Sequence, residues 1–400
     1  MPVLGNRSNR VLFIILAAVF LRVAIVFIIP AWQSPDEYPH YWVTEQISLT
    51  GILPVSEPVF PEYESYQPPL YYVATAGIMK LLSLEETPFS ETPLPPSVTL
   101  IVLRLFSVLL SVVALWLCWC LIRKIPGLDD SDQLYGFAFL AILPTFAGIG
   151  ATVNNDILVI ILSVAALCLV TGNDIKSSRA FWGGILAGLA VLSKLSGLII
   201  LPVALYLLVN RYQTRTVSRV RLTSIFFLGL LPGLVLLLIR NLTMYDSVLA
   251  VNPGLAVQPE ATIRALATSA RNLSWSFWLA FGRVYQIHPG PVVYIFTALP
   301  LFLLSIYGWF GKRRDNHLLV LLIIAIIPGI IASIAYTVSY PYEFMTSWGK
   351  NLYPVLPFIA SFLVYGWRRI FGTPKNIIPA LALFLMILGN LWAIYQLWNM

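Results

Sequence analysis

The chain has 400 residues, of which 58% are hydrophobic and only 11% charged. A soluble globular chain carries about 25% charged residues, so this composition excludes a soluble enzyme or binding module and describes a protein embedded in a bilayer. The formal charge of +7 is not a nucleic-acid signal, because the basic residues fall in short clusters between apolar runs.

Candidate spans lie near 11–30, 99–122, 134–150, 157–172, 180–193, 196–210, 223–240, 292–310, 318–338, 352–368 and 377–396. They do not alternate as barrel strands would, so the expected fold is all-α, with about eleven transmembrane helices. The first run lacks a small-residue cleavage site and many spans follow it, so it reads as a retained helix rather than a signal peptide. Cys118, Cys120 and Cys168 lie inside apolar runs and read as packing residues, with no disulfide or zinc framework.

Lys and Arg cluster in every second gap: Arg7 and Arg10; Arg123 and Lys124; Lys176 and Arg179; Arg211, Arg215, Arg219 and Arg221; Lys312, Arg313 and Arg314; Arg368, Arg369 and Lys375. The positive-inside rule makes these gaps cytoplasmic and the N-terminus with them. Two short helices must then meet outside around Lys194, since one helix over 180–210 would join two cytoplasmic ends. A long outer segment, 31–98, carries nine carboxylates against Lys80 alone. Within it, Pro68 to Leu84 reads as an interfacial helix.

The notable polar motifs all fall on this outer side. In SPDEYPHYW, Tyr38, Tyr41 and Trp42 suit a membrane-interface belt. The adjacent acids Asp36 and Glu37 are harder to place there, and cannot share one face. One is suited to act as a general base, with desolvation raising its pKa, and the other to meet a cation or helix end. Glu37 and His40 have the spacing of a di-iron ligand pair, but no second copy exists. Glu64, Tyr66, Gln67 and Tyr71, within EYESYQPPLYY, read either as a loop leading into a helix or as a polar wall for a sugar. Asn154, Asn155 and Asp156 read as a turn between spans or as part of a binding pocket. Lys194 sits in an apolar stretch where insertion costs roughly 2.5–3.5 kcal/mol. With Arg240, Arg271, Arg283 and Lys350 it makes an outer cationic set suited to phosphate; the alternative is snorkelling to the surface and contact with lipid headgroups. Arg22 and Arg104 lie within helices and are expected to pair internally, for instance with acids of the first loop.

The order of these motifs resembles the GT-C membrane glycosyltransferases: a first helix, PDEYPH, ESYQPPLYY, LRLFSVLLS, VNNDIL and SKLSGLIILP, then IRNLTMYDS, SFWLAFGRV and GKNLYPVLP. The branch is that of protein O-mannosyltransferases, aminoarabinose transferases and DUF2142-like proteins, and the match runs through 11–360. The resemblance implies transfer of a sugar, with inversion, from a polyprenyl-phosphate donor to a lipid, glycan or protein acceptor outside the cytoplasmic membrane. It implies Asp36 as catalytic base supported by Glu37, and Lys194, Arg240, Arg283 and Lys350 as candidates for the donor phosphate. His40, Glu64, Tyr66, Gln67, Tyr71, Asn154, Asn155 and Asp156 would line the pocket. Tyr66 stands where relatives often carry His, and Lys350 where they carry Arg. No cofactor is implied, and a divalent metal is not favoured, because Asp-Glu is not a spaced DxD pair. The expected organisation is a single transmembrane domain over 1–400, without a separate soluble domain. The alternatives are a transporter or flippase of a lipid-linked sugar, against which the acidic first loop and the lack of two similar halves argue, and an O-antigen ligase or polymerase type of enzyme.

Overall fold

The computed structural model describes residues 2–172, 175–210, 216–250, 263–283, 286–310, 316–339, 348–370 and 375–400. Arg211, Arg215 and Lys312 to Arg314, which helped set the expected orientation, lie outside them, as do parts of the outer segments 241–274 and 339–351. Among the described residues the chain is helical without named strands, apart from one isolated bridge between Phe281 and Ile287.

Helix α1 (Pro2–Ile28) leads into a turn and then α2 (Glu37–Thr50), a 3-10 turn over Glu62–Tyr66 and α3 (Leu70–Leu81). Next come α4 (Val98–Ile122), α5 (Asp130–Ala141), α6 (Pro144–Ile149), α7 (Asp156–Val170) and α8 (Ser177–Ser193). A 3-10 turn over Leu195–Ile199 precedes α9 (Ile200–Asn210), α10 (Thr216–Tyr245), α11 (Ile263–Trp278), α12 (Pro291–Phe296), α13 (Ala298–Trp309) and α14 (Asn316–Ser339). A 3-10 segment, Gly349–Val355, then opens into α15 (Leu356–Trp367), and α16 (Ile377–Trp398) follows.

Among the described residues, six helical stretches are long and apolar enough to cross a membrane: Arg7–Ile28, Val98–Ile122, Arg219–Tyr245, Pro291–Trp309, Leu318–Ala335 and Ile377–Trp398. Asp156–Val170 and Leu195–Val209 are shorter apolar helices. The protein is therefore integral to a membrane. Other expected spans are broken or short for identifiable reasons. The run 134–150 breaks at Ile142–Leu143 because Pro144, lacking an N–H, starts α6 rather than continuing α5. The break expected at Lys194 is present: it closes α8 in an extended conformation (φ −163°) and separates it from α9.

Helix packing brings the basic clusters and the polar motifs to opposite ends. At one end Arg7 pairs with Asp130, and Arg368 and Arg369 converge on Asp132 at 2.6 and 3.1 Å. Lys124 and Arg179 donate to the carbonyl of Cys168 at the end of α7. Glycines set a close contact between α8 and α10: a Cβ on Gly184 of α8 would lie 1.9 Å from the Phe226 carbonyl oxygen of α10, and one on Gly229 would lie 2.2 Å from that of Phe181. Small residues allow this backbone approach where hydrocarbon removes the hydrophobic drive for helix association.

Candidate active site

The site lies at the other end, where α2, the Glu62–Tyr66 turn, the α6–α7 turn, the α8 terminus and the Gly349–Val355 segment meet. Its frame is the ion pair Glu37–Arg104. Arg104 donates to both carboxylate oxygens of Glu37, at 2.8 and 2.6 Å, and both side chains are fully buried. The same guanidinium caps the end of α1 by donating to the carbonyls of Val26, Ile29 and Pro30. Glu37 also accepts from the Val153 N–H at 3.2 Å. One pair thus fixes α1, α2, α4 and the α6–α7 turn together. Arg22 finds no acid; it donates to the carbonyls of Ala18 and Ala141 and lies over the ring of Phe146.

Asp36 precedes α2 in the left-handed region (φ 56°, ψ 12°), which Asp tolerates better than most side chains. Unlike Glu37, its side chain is 32% exposed, with Lys350 Nζ 3.8 Å from Oδ2. Tyr63 donates to its Oδ1 at 3.2 Å. Asp156 lies beneath, buried, bound by Lys194 at 2.5 Å on one oxygen and by Lys350 at 3.2 Å on the other. The Asn154 side chain accepts from the Asp156 N–H, so the turn that sequence suggested is also what presents Asp156. A cleft of about 20 Å³, room for one water-sized group, runs between Ser34, Pro35, Thr152, Asn154, Asp156 and Lys350.

The rest of the wall is a hydrogen-bonded lattice. His40 Nδ1 shares a hydrogen bond with Tyr72 at 2.8 Å, and Asn155 donates to Gln67 at 2.8 Å and to Tyr72 at 3.4 Å. Gln67 donates to Glu64 at 2.6 Å and, more weakly, to Tyr66 at 3.4 Å. Tyr71 accepts from the Asn154 N–H. Burial, opposed only in part by Asp36, lowers His40 to a pKa of about 3, so its imidazole is neutral. Burial and then the charge of Asp36 raise Glu64 to about 8, against the pull of Lys194 and Lys350. Glu37 and His40 turn to different partners, which leaves the Glu-x-x-His spacing without a common point. Among the described residues no three His, Cys, Asp or Glu side chains gather as a metal site.

Two of the expected phosphate cations stand apart. Arg240 donates to the carbonyls of Ser65, Tyr66 and Gln67, holding the 3-10 turn of the first loop. Arg283 lies over Phe60 and Phe89, at 5.2 and 4.9 Å from the ring centroids. Tyr63 and Tyr72 were not singled out from sequence; each is one tyrosine among many, and only the fold turns its hydroxyl inward.

Comparison with known proteins bears on the fold. Residues 97–240 match the sequence profile of the dolichyl-phosphate-mannose-protein mannosyltransferases. No curated protein matches the chain in sequence. Among solved structures, the chain is similar to ArnT from Cupriavidus metallidurans bound to undecaprenyl phosphate (15% identity, TM-score 0.52, covering 91% of this chain and 61% of that one). It is similar to the arabinofuranosyltransferase AftD from Mycobacteria (14%, TM-score 0.56, covering 96% and 26%). A third is the Archaeoglobus fulgidus oligosaccharyltransferase AglB in complex with an inhibitory peptide and a dolichol-phosphate (14%, TM-score 0.51, covering 97% and 56%). The chain thus spans less than two thirds of the length of each of these proteins. Similarity at this level is similarity of fold, and this chain is a helical membrane protein with the GT-C fold.

Proposed function

We propose that the protein transfers a sugar from a polyprenyl-phosphate donor to an acceptor hydroxyl, with Asp36 as general base, and that it does so as a single transmembrane domain. The observation that carries this reading is the placement of an accessible carboxylate, Asp36, 3.8 Å from Lys350, itself part of a buried Lys194–Asp156–Lys350 cluster. Asp36 would take the proton from the acceptor O–H as that oxygen bonds to the anomeric carbon. The carbon–oxygen bond to phosphate breaks, its electron pair leaves on the phosphate oxygen, and the configuration inverts. Lys194 and Lys350 would stabilise that leaving charge. Asp156, buried between them, pairs with both ammonium groups, and with Lys350 it lines the cleft. Glu37 is occupied by Arg104 and serves the frame rather than the proton transfer.

The charge pattern supports an orientation with the N-terminus in the cytoplasm and the site on the outer side of the cytoplasmic membrane. The test is transfer from a polyprenyl-phosphate sugar by purified protein. Asp36→Asn is expected to lower kcat by roughly 10²–10⁴-fold, the usual range for a positioned base. An unchanged rate would remove Asp36 from the mechanism.

A further inference from the structure

Two of the sequence motifs, SFWLAFGRV and GKNLYPVLP, meet in the fold. Ser276 of the first lies in the last turn of α11 and is 1% exposed. Its hydroxyl donates to the Asn272 carbonyl one turn back, at 2.5 Å, which commits its proton and leaves its oxygen free to accept. The Gly349 N–H of the second motif donates to that oxygen at 2.7 Å. The next residue is Lys350.

A side chain does not fit at 349: a Cβ there would lie 2.4 Å from the Leu273 carbonyl oxygen and 2.5 Å from the Phe277 nitrogen. A second pin follows at Tyr353, whose hydroxyl donates to the Phe277 carbonyl at 2.6 Å and whose ring meets that of Phe277 edge-on. Lys350 thus springs from a backbone fixed to α11 on both sides. The chain leaving α11 is itself tied to α6, because the Ala280 N–H donates to Thr145 Oγ1 at 3.1 Å, and Phe281 lines the cleft. The tolerance at the lysine is small. Its Nζ stands 3.2 Å from Asp156 and 3.8 Å from Asp36, the latter close to the outer limit of an ion pair.

We infer that Ser276 is a positioning residue: through the Gly349 N–H it holds Lys350 in the span between Asp36 and Asp156. For its catalytic consequence the inference rests on the sugar-transfer reading, to which it adds a residue outside the reacting groups. A lysine released from this span loses Asp36 first, and the charge placed for the leaving phosphate goes with it.

The test uses the full chain in detergent, and its first arm needs no donor. Lysines are acetylated with limiting sulfosuccinimidyl acetate and read by peptide mass spectrometry. Lys194, which shares Asp156 from the α8 end, is the internal reference. Ser276→Ala is expected to raise Lys350 labelling relative to Lys194, and hydrogen exchange in 349–353, by roughly two- to tenfold, the range one hydrogen bond commands. Ser276→Thr, which keeps the hydroxyl, is expected to restore both. A ratio that stays at the parent value in Ser276→Ala, or Lys194 rising in step with Lys350, overturns the inference. The second arm is transfer from an undecaprenyl-phosphate sugar. Ser276→Ala is expected to lower kcat/KM by a similar factor and to add no loss in a Lys350→Met background, because it acts through that lysine. A further loss there would make Ser276 a general support of the fold and overturn its role. Raised Lys350 labelling in Ser276→Ala, where the parent transfers no sugar, would keep Ser276 as the holder of Lys350 and defeat the catalytic reading instead.

Discussion

Glu64 shows what the site asks of single residues. It is buried beside a carboxylate and two ammonium groups, and burial holds its proton until about pH 8. An unfolded chain releases that proton near 4.5. Because the folded pKa is raised, the stabilising share of this group is complete below 4.5 and is lost as pH rises towards 8. Glu64→Gln keeps an amide in the same lattice without a titrating proton. Its thermal stability in detergent should therefore gain on the parent protein between pH 5 and 8.5, by more than about 1.4 kcal/mol, the equivalent of one pKa unit. Above pH 8 the parent also places a new negative charge near Lys194 and Lys350, so its KM for an anionic donor should rise there, while that of Glu64→Gln should not. Sequence marked Glu64, Asp36 and Lys194 as polar oddities on one side. It could not reveal that Lys350 joins Asp36 to Asp156, because nothing local couples residues so far apart in the chain.

At the scale of elements, the least legible piece was α2. Its sequence, EYPHYWVTEQISLT, carries no clear apolar stripe and has Pro39 in its first turn, where a missing N–H costs little. Tertiary contacts decide it: Glu37 is locked to Arg104, and Thr44 meets Thr75 of α3 at 2.9 Å. Breaking a buried pair by removing one partner costs about 3–5 kcal/mol. Arg104→Met should therefore unfold well below the parent temperature in a detergent melt. Glu37→Met with Arg104→Met should recover much of that loss without restoring transfer, since the carbonyls of Val26, Ile29 and Pro30 lose their donor and Asp36 its reference point. The α8–α10 contact makes a second element-level prediction. Gly229→Leu cannot be accommodated 2.2 Å from the Phe181 carbonyl without separating the helices. That shift moves Lys194 at the end of α8, so any folded fraction should show a raised donor KM. Neither contact could be foreseen from one sequence, where Gly184 and Gly229 look like any small residues in an apolar run.

At the scale of the whole molecule, the charge map was the most informative reading. Clusters at Arg7, Lys124, Arg179 and Arg368 do gather at one end of the helices, with Asp36, Asp156 and Lys194 at the other. Helix lengths were less readable, because Pro144 interrupts the run 134–150 that composition treats as continuous, whereas the break at Lys194 follows from the charge map. Which end faces the cytoplasm is a separate matter of charge and membrane potential, and it can be measured. Cys118 and Cys168 are buried and Cys120 is partly so, which leaves a quiet background for labelling once all three are replaced by Ala or Ser. Leu94 is 49% exposed in the first loop, and Lys176 is exposed at the start of α8. If the site faces outward, Leu94→Cys should react with a membrane-impermeant maleimide in intact cells, and Lys176→Cys only after permeabilisation. The reverse pattern would place Asp36 in the cytoplasm. A lipid-carried sugar would then have to be used on the inner leaflet, and the positive-inside reading of this chain would fail as a whole.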